Sequence, residues 1–361
     1  MKNKTIIALM LTIAALAAFA FGEQRVSGII DRETRWKAED GPFIVEGDIL
    51  ITRWGSLTIF PGTRVIIASD AKKTHLTTPF DKADSTLVSI RVLGNFNCVG
   101  RRNNPIVFEP ERSELANFAW RGIIIDEVDS RHTEIAFTEI SGATTGVTIK
   151  NTNIFVRNSA MENNNIGILS INGGAPRIYN NLLTSNFTAA IKVERANPRI
   201  SNNIIAFNKN IGLWCDNSSK IAFKHNCVFG NPDGDFLDCE PDIGRMTRRG
   251  VRGRDSTDAH GNIVADPIFA GSAAEARAIE LDIELQTDPA NVRDRRLLNI
   301  PNLQFGAPRP RGDPTLIGAD GRTLSAYSPC INAGESGGAF RNVDGSRNTM
   351  GPAGGPDFWD R

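Results

Sequence analysis

Tyrosine is nearly missing from this chain of 361 residues, with 2 copies, and histidine supplies only 4. Neither sign of charge is in excess. The 41 basic residues face 41 acidic ones, so nothing global points to nucleic acid or to an acidic lipid surface. Cysteine is limited to Cys98, Cys215, Cys227, Cys239 and Cys330, and no CxxC or His/Cys spacing offers a zinc site. Five thiols allow at most two disulfides with one left over, and Cys227 and Cys239, close in the chain, are the first pair to test. Long hydrophobic runs are absent after residue 22. The run before it, MKNKTIIALMLTIAALAAFAFG, has a basic start, an apolar stretch and small residues at Ala18, Ala20 and Gly22. That is the layout of a secretory signal peptide over residues 1–22, cut near Ala20 or Gly22. A retained anchor is the competing reading, with the run near the lower length limit for a span. The expectation is an exported bacterial protein, extracellular or periplasmic, monomeric and not membrane-spanning once cut.

What the chain has instead is glycine, 33 residues, and asparagine at fixed intervals. The stretch PRISNNIIAFNKNIGLW (198–214) is one of several related copies, beside PRIYNNLLTSNFTAAIKV (176–193), IFVRNSAMENNNIGILS (154–170) and AFKHNCVFGN (222–231). Asparagines recur at 158, 181, 203 and 226, and again at 163, 186, 208 and 231. Phe155, Ile178, Ile200 and Phe223 keep step with them, as do Ala160, Leu183, Ile205 and Val228. A fifth column of small residues, Gly122, Gly146, Gly167, Ala190 and Gly212, opens a short apolar segment each time. Its second and fourth positions are mostly apolar and face inward, because strand side chains alternate.

A period near 22 residues, with two or three short strands in each, predicts a coil of parallel strands. Successive turns stack at roughly 4.8 Å. Each turn buries its apolar positions only against its neighbours, so both ends need caps. Asparagine then serves the structure twice over. It tolerates left-handed backbone at a corner, and stacked amides hydrogen-bond along the axis.

These repeats resemble those of secreted right-handed parallel β-helix proteins of the pectate-lyase-like superfamily. GPFIVEGDILITRWGSLTIFPGTRVII (41–67) is similar to the segment that leads into such helices, and IRVLGNFNCVGRRNNPIVFEP (90–110) with WRGIIID (120–126) to their first rungs. NIVADPIF (262–269), SPCINAG (328–334) and Asp344-Gly345 resemble their closing segment. The resemblance implies an all-β fold, a right-handed single-stranded parallel β-helix (solenoid) with an N-terminal cap and an irregular C-terminal tail. The expected layout is an N-terminal cap and first strands over 23–84 and coils over 85–231. Residues 232–361 then hold a polar loop, the last coil, an insertion and the closing segment. Segment 271–320 reads as an insertion containing a short helix, and GPAGGPDFW as coil over the final rung. Function does not follow, since this scaffold serves lyases, hydrolases, adhesins and proteins without known activity.

The third and fifth positions of the small-residue column face outward. They hold Ile124, Thr148, Leu169, Lys192 and Trp214, beside Asp126, Lys150, Ile171, Glu194 and Asp216. Lys192, Glu194, Trp214 and Asp216 form a patch with an aromatic plate, a cation and two carboxylates. Together with Asp126 and Lys150 they are the candidate sugar-binding residues; the competing reading is a solvated charged face. A lyase needs a base beside a uronate carboxylate and a cation or metal to neutralise it. Lys192 is the candidate base, although Glu194 and Asp216 favour its cationic form. Polygalacturonases carry an adjacent aspartate pair, and this chain has no Asp-Asp. His225 beside Asn226 reads as a turn residue, and His75, His132 and His260 are scattered.

Asp233, Asp235, Asp238, Glu240 and Asp242 cluster in an acidic loop around Gly234, a candidate Ca²⁺ site or simply a hydrated loop. Arg245, Arg248, Arg249, Arg252 and Arg254 follow, suited to anionic glycans or to pairing with those acids. Arg311-Gly312-Asp313 carries no assigned role. Three functions compete: carbohydrate binding or a structural role outside the cytoplasm, a polysaccharide lyase or hydrolase acting on acidic polysaccharide, and an adhesin-like module. An enzyme predicts a groove of converging charges, a binding module a flatter strip with exposed aromatics, and a spacer neither.

Overall fold

Short strands bounded by Gly and Asn, with apolar residues at alternate positions, bury one face each and turn sharply between faces. The computed structural model describes residues 22–72, 86–112, 118–129, 131–246, 257–270, 272, 277, 323–325 and 328–356. The segment before Gly22 expected to be a signal peptide, His75, Arg248, Arg249, Arg252, Arg254, the Arg-Gly-Asp tripeptide and the expected insertion over 271–320, Ser272 and Arg277 excepted, lie outside them.

The chain winds as a right-handed parallel β-solenoid with three faces. The first face stacks Ser89–Val92, Gly122–Asp126, Thr145–Lys150, Ile166–Ile171, Ala189–Glu194, Ile211–Trp214 and Gly234–Leu237. The second stacks eight strands, Glu33–Trp36, Ser56–Ile59, Asn95–Val99, Glu134–Ala136, Phe155–Arg157, Arg177–Tyr179, Arg199–Ser201 and Ala222–Lys224, giving about eight turns. The third stacks Arg64–Lys72, Ile106–Pro110, Thr138–Ser141, Ala160–Glu162, Leu182–Thr184, Ile204–Ala206 and Cys227–Phe229. Phe43–Ile51 joins the first and third faces, and Gln24–Ile30 pairs on it as the outermost strand. Glu33–Trp36 and Ser56–Ile59 are already rungs, so the stack starts well before residue 85.

The interior is filled by columns of aliphatic side chains. On the second face, Cys98, Ile135, Val156, Ile178, Ile200 and Phe223 lie one above the next. Full burial of each such side chain stabilises by about 2 kcal/mol. Larger rings close the ends, Trp36 stacked on Phe43 at 4.7 Å and Phe223 edge-on to Phe236 at 6.0 Å. The small-residue column follows the predicted register, Gly122 beside Gly146 and onward to Gly212. It is small because backbones approach closely: a Cβ on Gly167 would sit 2.6 Å from the Ala190 carbonyl oxygen.

Two amide ladders run along the axis. In the first, the Asn181 side chain donates to Asn203 Oδ1 at 3.0 Å, Asn203 to Asn226 at 2.9 Å, and Asn226 to Asn262 at 3.1 Å. In the second, Asn164, Asn186, Asn208 and Asn231 hand on in the same way. The predicted columns slip by one residue at their first member. Ser159, not Asn158, precedes Asn181, and Asn164, not Asn163, precedes Asn186. Val156 and Met161 likewise replace Phe155 and Ala160. The two properties expected of one asparagine are divided between neighbours, and the residue before the ladder takes the left-handed conformation. Asn158 (φ 48°), Asn180 (φ 55°), Asn202 (φ 60°) and His225 (φ 52°) do so at one corner. Both ladders end on an aspartate, Asp258 accepting from Asn262 at 2.7 Å and Asp235 from Asn231 at 2.7 Å.

The tail does not cap the last rung. Residues 328–356 run back along the corner between the second and third faces, held by the left-handed asparagines. The Asn158 amide donates to the carbonyls of Pro352 and Gly354, and that of Asn180 to Asn348 Oδ1 and the Thr349 carbonyl. Met350 and Cys330 pack with Ala160, Leu182, Ile204 and Cys227. The disulfide joins Cys215 to Cys239, not Cys227 to Cys239, and ties the last two rungs of the first face together. Cys227 points into the tail cluster instead, and with Cys98 and Cys330 remains a buried thiol.

Candidate functional site

The outward columns of the first face stack as the repeat predicts. Ile124, Thr148, Leu169, Lys192 and Trp214 are consecutive Cα partners, and so are Asp126, Lys150, Ile171 and Glu194. Within this strip the charges fall into two groups separated by the half-buried Leu169 and Ile171.

The first group centres on Asp126, which is buried. Its Oδ2 accepts from Lys150 Nζ at 3.0 Å and from an Arg91 guanidinium nitrogen at 3.1 Å. Oδ1 has no hydrogen-bond partner among the described residues. Arg91 was not foreseen. Ser89 opens its strand in the column that Gly122, Gly146, Gly167, Ala190 and Gly212 continue, and Ser89-Ile90-Arg91-Val92 obeys the same small-apolar-outward-apolar order and aligns with Gly122–Ile125. On the flanking turns Arg53 reaches Glu127 at 3.3 Å, and Trp54 is 89% exposed.

The second group is Lys192, Glu194 and Trp214. Lys192 Nζ lies 2.7 Å from Glu194 Oε1 and 4.0 Å from the centroid of the Trp214 ring. A carboxylate and a ring face both attract a cation, so Lys192 is engaged from two sides at once. Asp216 turns away to the loop after its strand. It accepts from the Arg195 N–H at 2.8 Å, from Ser218 at 2.8 Å and from Ser219. Partial burial pushes its pKa up, and these hydrogen bonds outweigh that and hold it below the usual carboxylate value.

The acidic loop is dispersed by its own structure. Asp235 terminates a ladder, and Asp242 accepts from His260 Nε2 at 2.8 Å in the tautomer that protonates that nitrogen. Asp238 sits in left-handed backbone, and Asp233 and Glu240 are exposed. Among the described residues no three His, Cys, Asp or Glu side chains converge on one point. His225 is a corner residue, as its place beside Asn226 suggested.

A family described as right handed beta helix region matches residues 102–240. Fold and match together define a right-handed β-helix repeat protein. No curated protein and no solved structure gives a significant match. No helix among the described residues is long and apolar enough to cross a membrane.

Proposed function

We propose that the protein is an exported recognition module that binds carbohydrate along its first face. The observation that carries this reading is the mutual pairing of the charges there. Lys150 is engaged with Asp126 and Lys192 with Glu194, so the face offers hydrogen-bonding groups and partly exposed aliphatic and indole surface but no isolated base. Paired charges of this kind present several donors and acceptors at fixed positions to sugar hydroxyls. Trp54 adds an exposed indole at the N-terminal end of the strip. The Cys215–Cys239 bond supports export, together with the basic, apolar and Ala-x-Ala pattern of the first residues.

The test is a glycan array run beside an assay for unsaturated sugar products, each with and without Ca²⁺. Binding without turnover, weakened by Lys150→Ala or Trp214→Ala, supports the module. Product formation abolished by Lys192→Ala would replace it with a lyase, and silence in both assays would leave a scaffold.

A further inference from the structure

The second face carries a group of cations that make no ion pair among the described residues. Arg177 and Arg199 are direct Cα partners on adjacent rungs, both pointing outward. On the next rung Lys224 pairs with Ser201 in the neighbouring outward column, and Lys220 leads into that rung, its N–H held by Asn197 Oδ1 at 3.0 Å. Four cations therefore occupy three consecutive rungs. The Arg177 guanidinium lies over the Phe155 ring at 4.8 Å. Among the described residues none of the four has an ion-pair partner. This contrasts with the first face, where Lys150 and Lys192 each have a carboxylate within 3.0 Å.

Like charges directly opposed across strands destabilise a sheet, and a bound polyanion relieves that repulsion. One acid, Glu335 of the tail, feels the charge of Lys224. Burial pushes its pKa up, against a Ser201 hydrogen bond and the charge of Lys224. Successive rungs advance by about 5 Å, close to the rise of one sugar in an extended glycan. A chain laid parallel to the axis thus brings one acidic sugar to each rung. Nucleic acid fits less well. The chain has no net basic charge, the Phe155 ring is covered by Arg177, and Tyr179 is buried, so neither of these rings offers a face for bases to stack on.

We infer that Arg177, Arg199, Lys220 and Lys224 form a docking stripe for an acidic glycan running along the solenoid axis. The inference takes its ligand class from the recognition reading above but uses a different face, so the two fail separately. The experiment is calorimetric titration of the full mature chain with an oligogalacturonate spanning at least four sugars, at two salt concentrations. A neutral oligosaccharide of equal length and a single-stranded DNA of equal charge serve as comparison probes. Expected is binding of the oligogalacturonate alone, weakened by salt and roughly tenfold weaker in R199Q/K224Q. Both residues are exposed, and the thermal midpoint of the double variant should match the parent. Equal affinity in parent and double variant, no binding of oligogalacturonate, or tighter binding of DNA would overturn the stripe. Loss of binding in K150A with R199Q/K224Q unaffected would also overturn it, while leaving the first-face reading intact.

Discussion

The side-chain amide of Asn158 donates to the carbonyl oxygen of Gly354 at 2.7 Å across 196 residues of sequence. One amide thus fastens the far end of the chain to a turn near the middle of the solenoid. Asn158→Gly keeps the left-handed backbone available and removes this grip, together with the bond to the Pro352 carbonyl and the one accepted from Arg157. Hydrogen exchange over residues 348–356 should quicken in the variant while rungs 176–231 stay protected. Unchanged exchange in the tail would mean that packing alone holds it.

Within the ladders the dependence is greater. Asn203 is fully buried and donates to the Ile178 and Ser201 carbonyls and to Asn226 Oδ1 while accepting from Asn181. Asn203→Ala strands several buried polar groups and should cost about 3 kcal/mol or more in denaturant unfolding. A loss under about 1 kcal/mol, by the same principle, would contradict the ladder.

Ser170 offers the opposite case. It occupies an inward column between Ile149 and Val193, and its hydroxyl has no partner among the described residues. Replacing it with alanine removes an unsatisfied group, so Ser170→Ala should leave stability unchanged or raise it by about 1 kcal/mol. A clear destabilisation would mean that the hydroxyl has a bound partner.

His225 makes stability depend on pH. Burial, then Arg347 and Lys224, push its pKa below the ordinary 6.5. The unfolded chain therefore takes up a proton at higher pH than the folded one. Stability is complete above the unfolded value and falls as pH drops below it. His225→Asn, matching the three asparagines that share its left-handed corner, should flatten the unfolding midpoint between about pH 7 and about pH 5 relative to the parent.

The thiols separate by accessibility. Burial pushes Cys98 up to about 12, and Cys227 and Cys330 are also buried. Iodoacetamide should label none of them in the native protein, 3 cysteines after denaturation and all 5 after reduction. Peptide mapping of the oxidised protein should recover Cys215 joined to Cys239.

The coil was legible because asparagine and small residues recur wherever a turn repeats. The slip at the first copy has a physical cause. A left-handed corner favours Asn just as the adjacent ladder does, and Asn163, Asn164 and Asn165 stand in a row, so composition could not choose the register. The outward partners of Lys150 and Lys192 followed from the period alone. Arg91 did not, because serine stood in the glycine column. The course of the tail was hidden for another reason: Pro352, Thr349 and Gly354 accept through backbone carbonyls, which every sequence has.

That both ladders finish on Asp235 and Asp258 sets a direction for the whole molecule. A carboxylate accepts and has nothing to hand on, so further copies joining end to end at that pole would find no donor waiting. Splicing a whole winding into the middle avoids that block, since a duplicated segment such as 181–202 would leave both terminators in place.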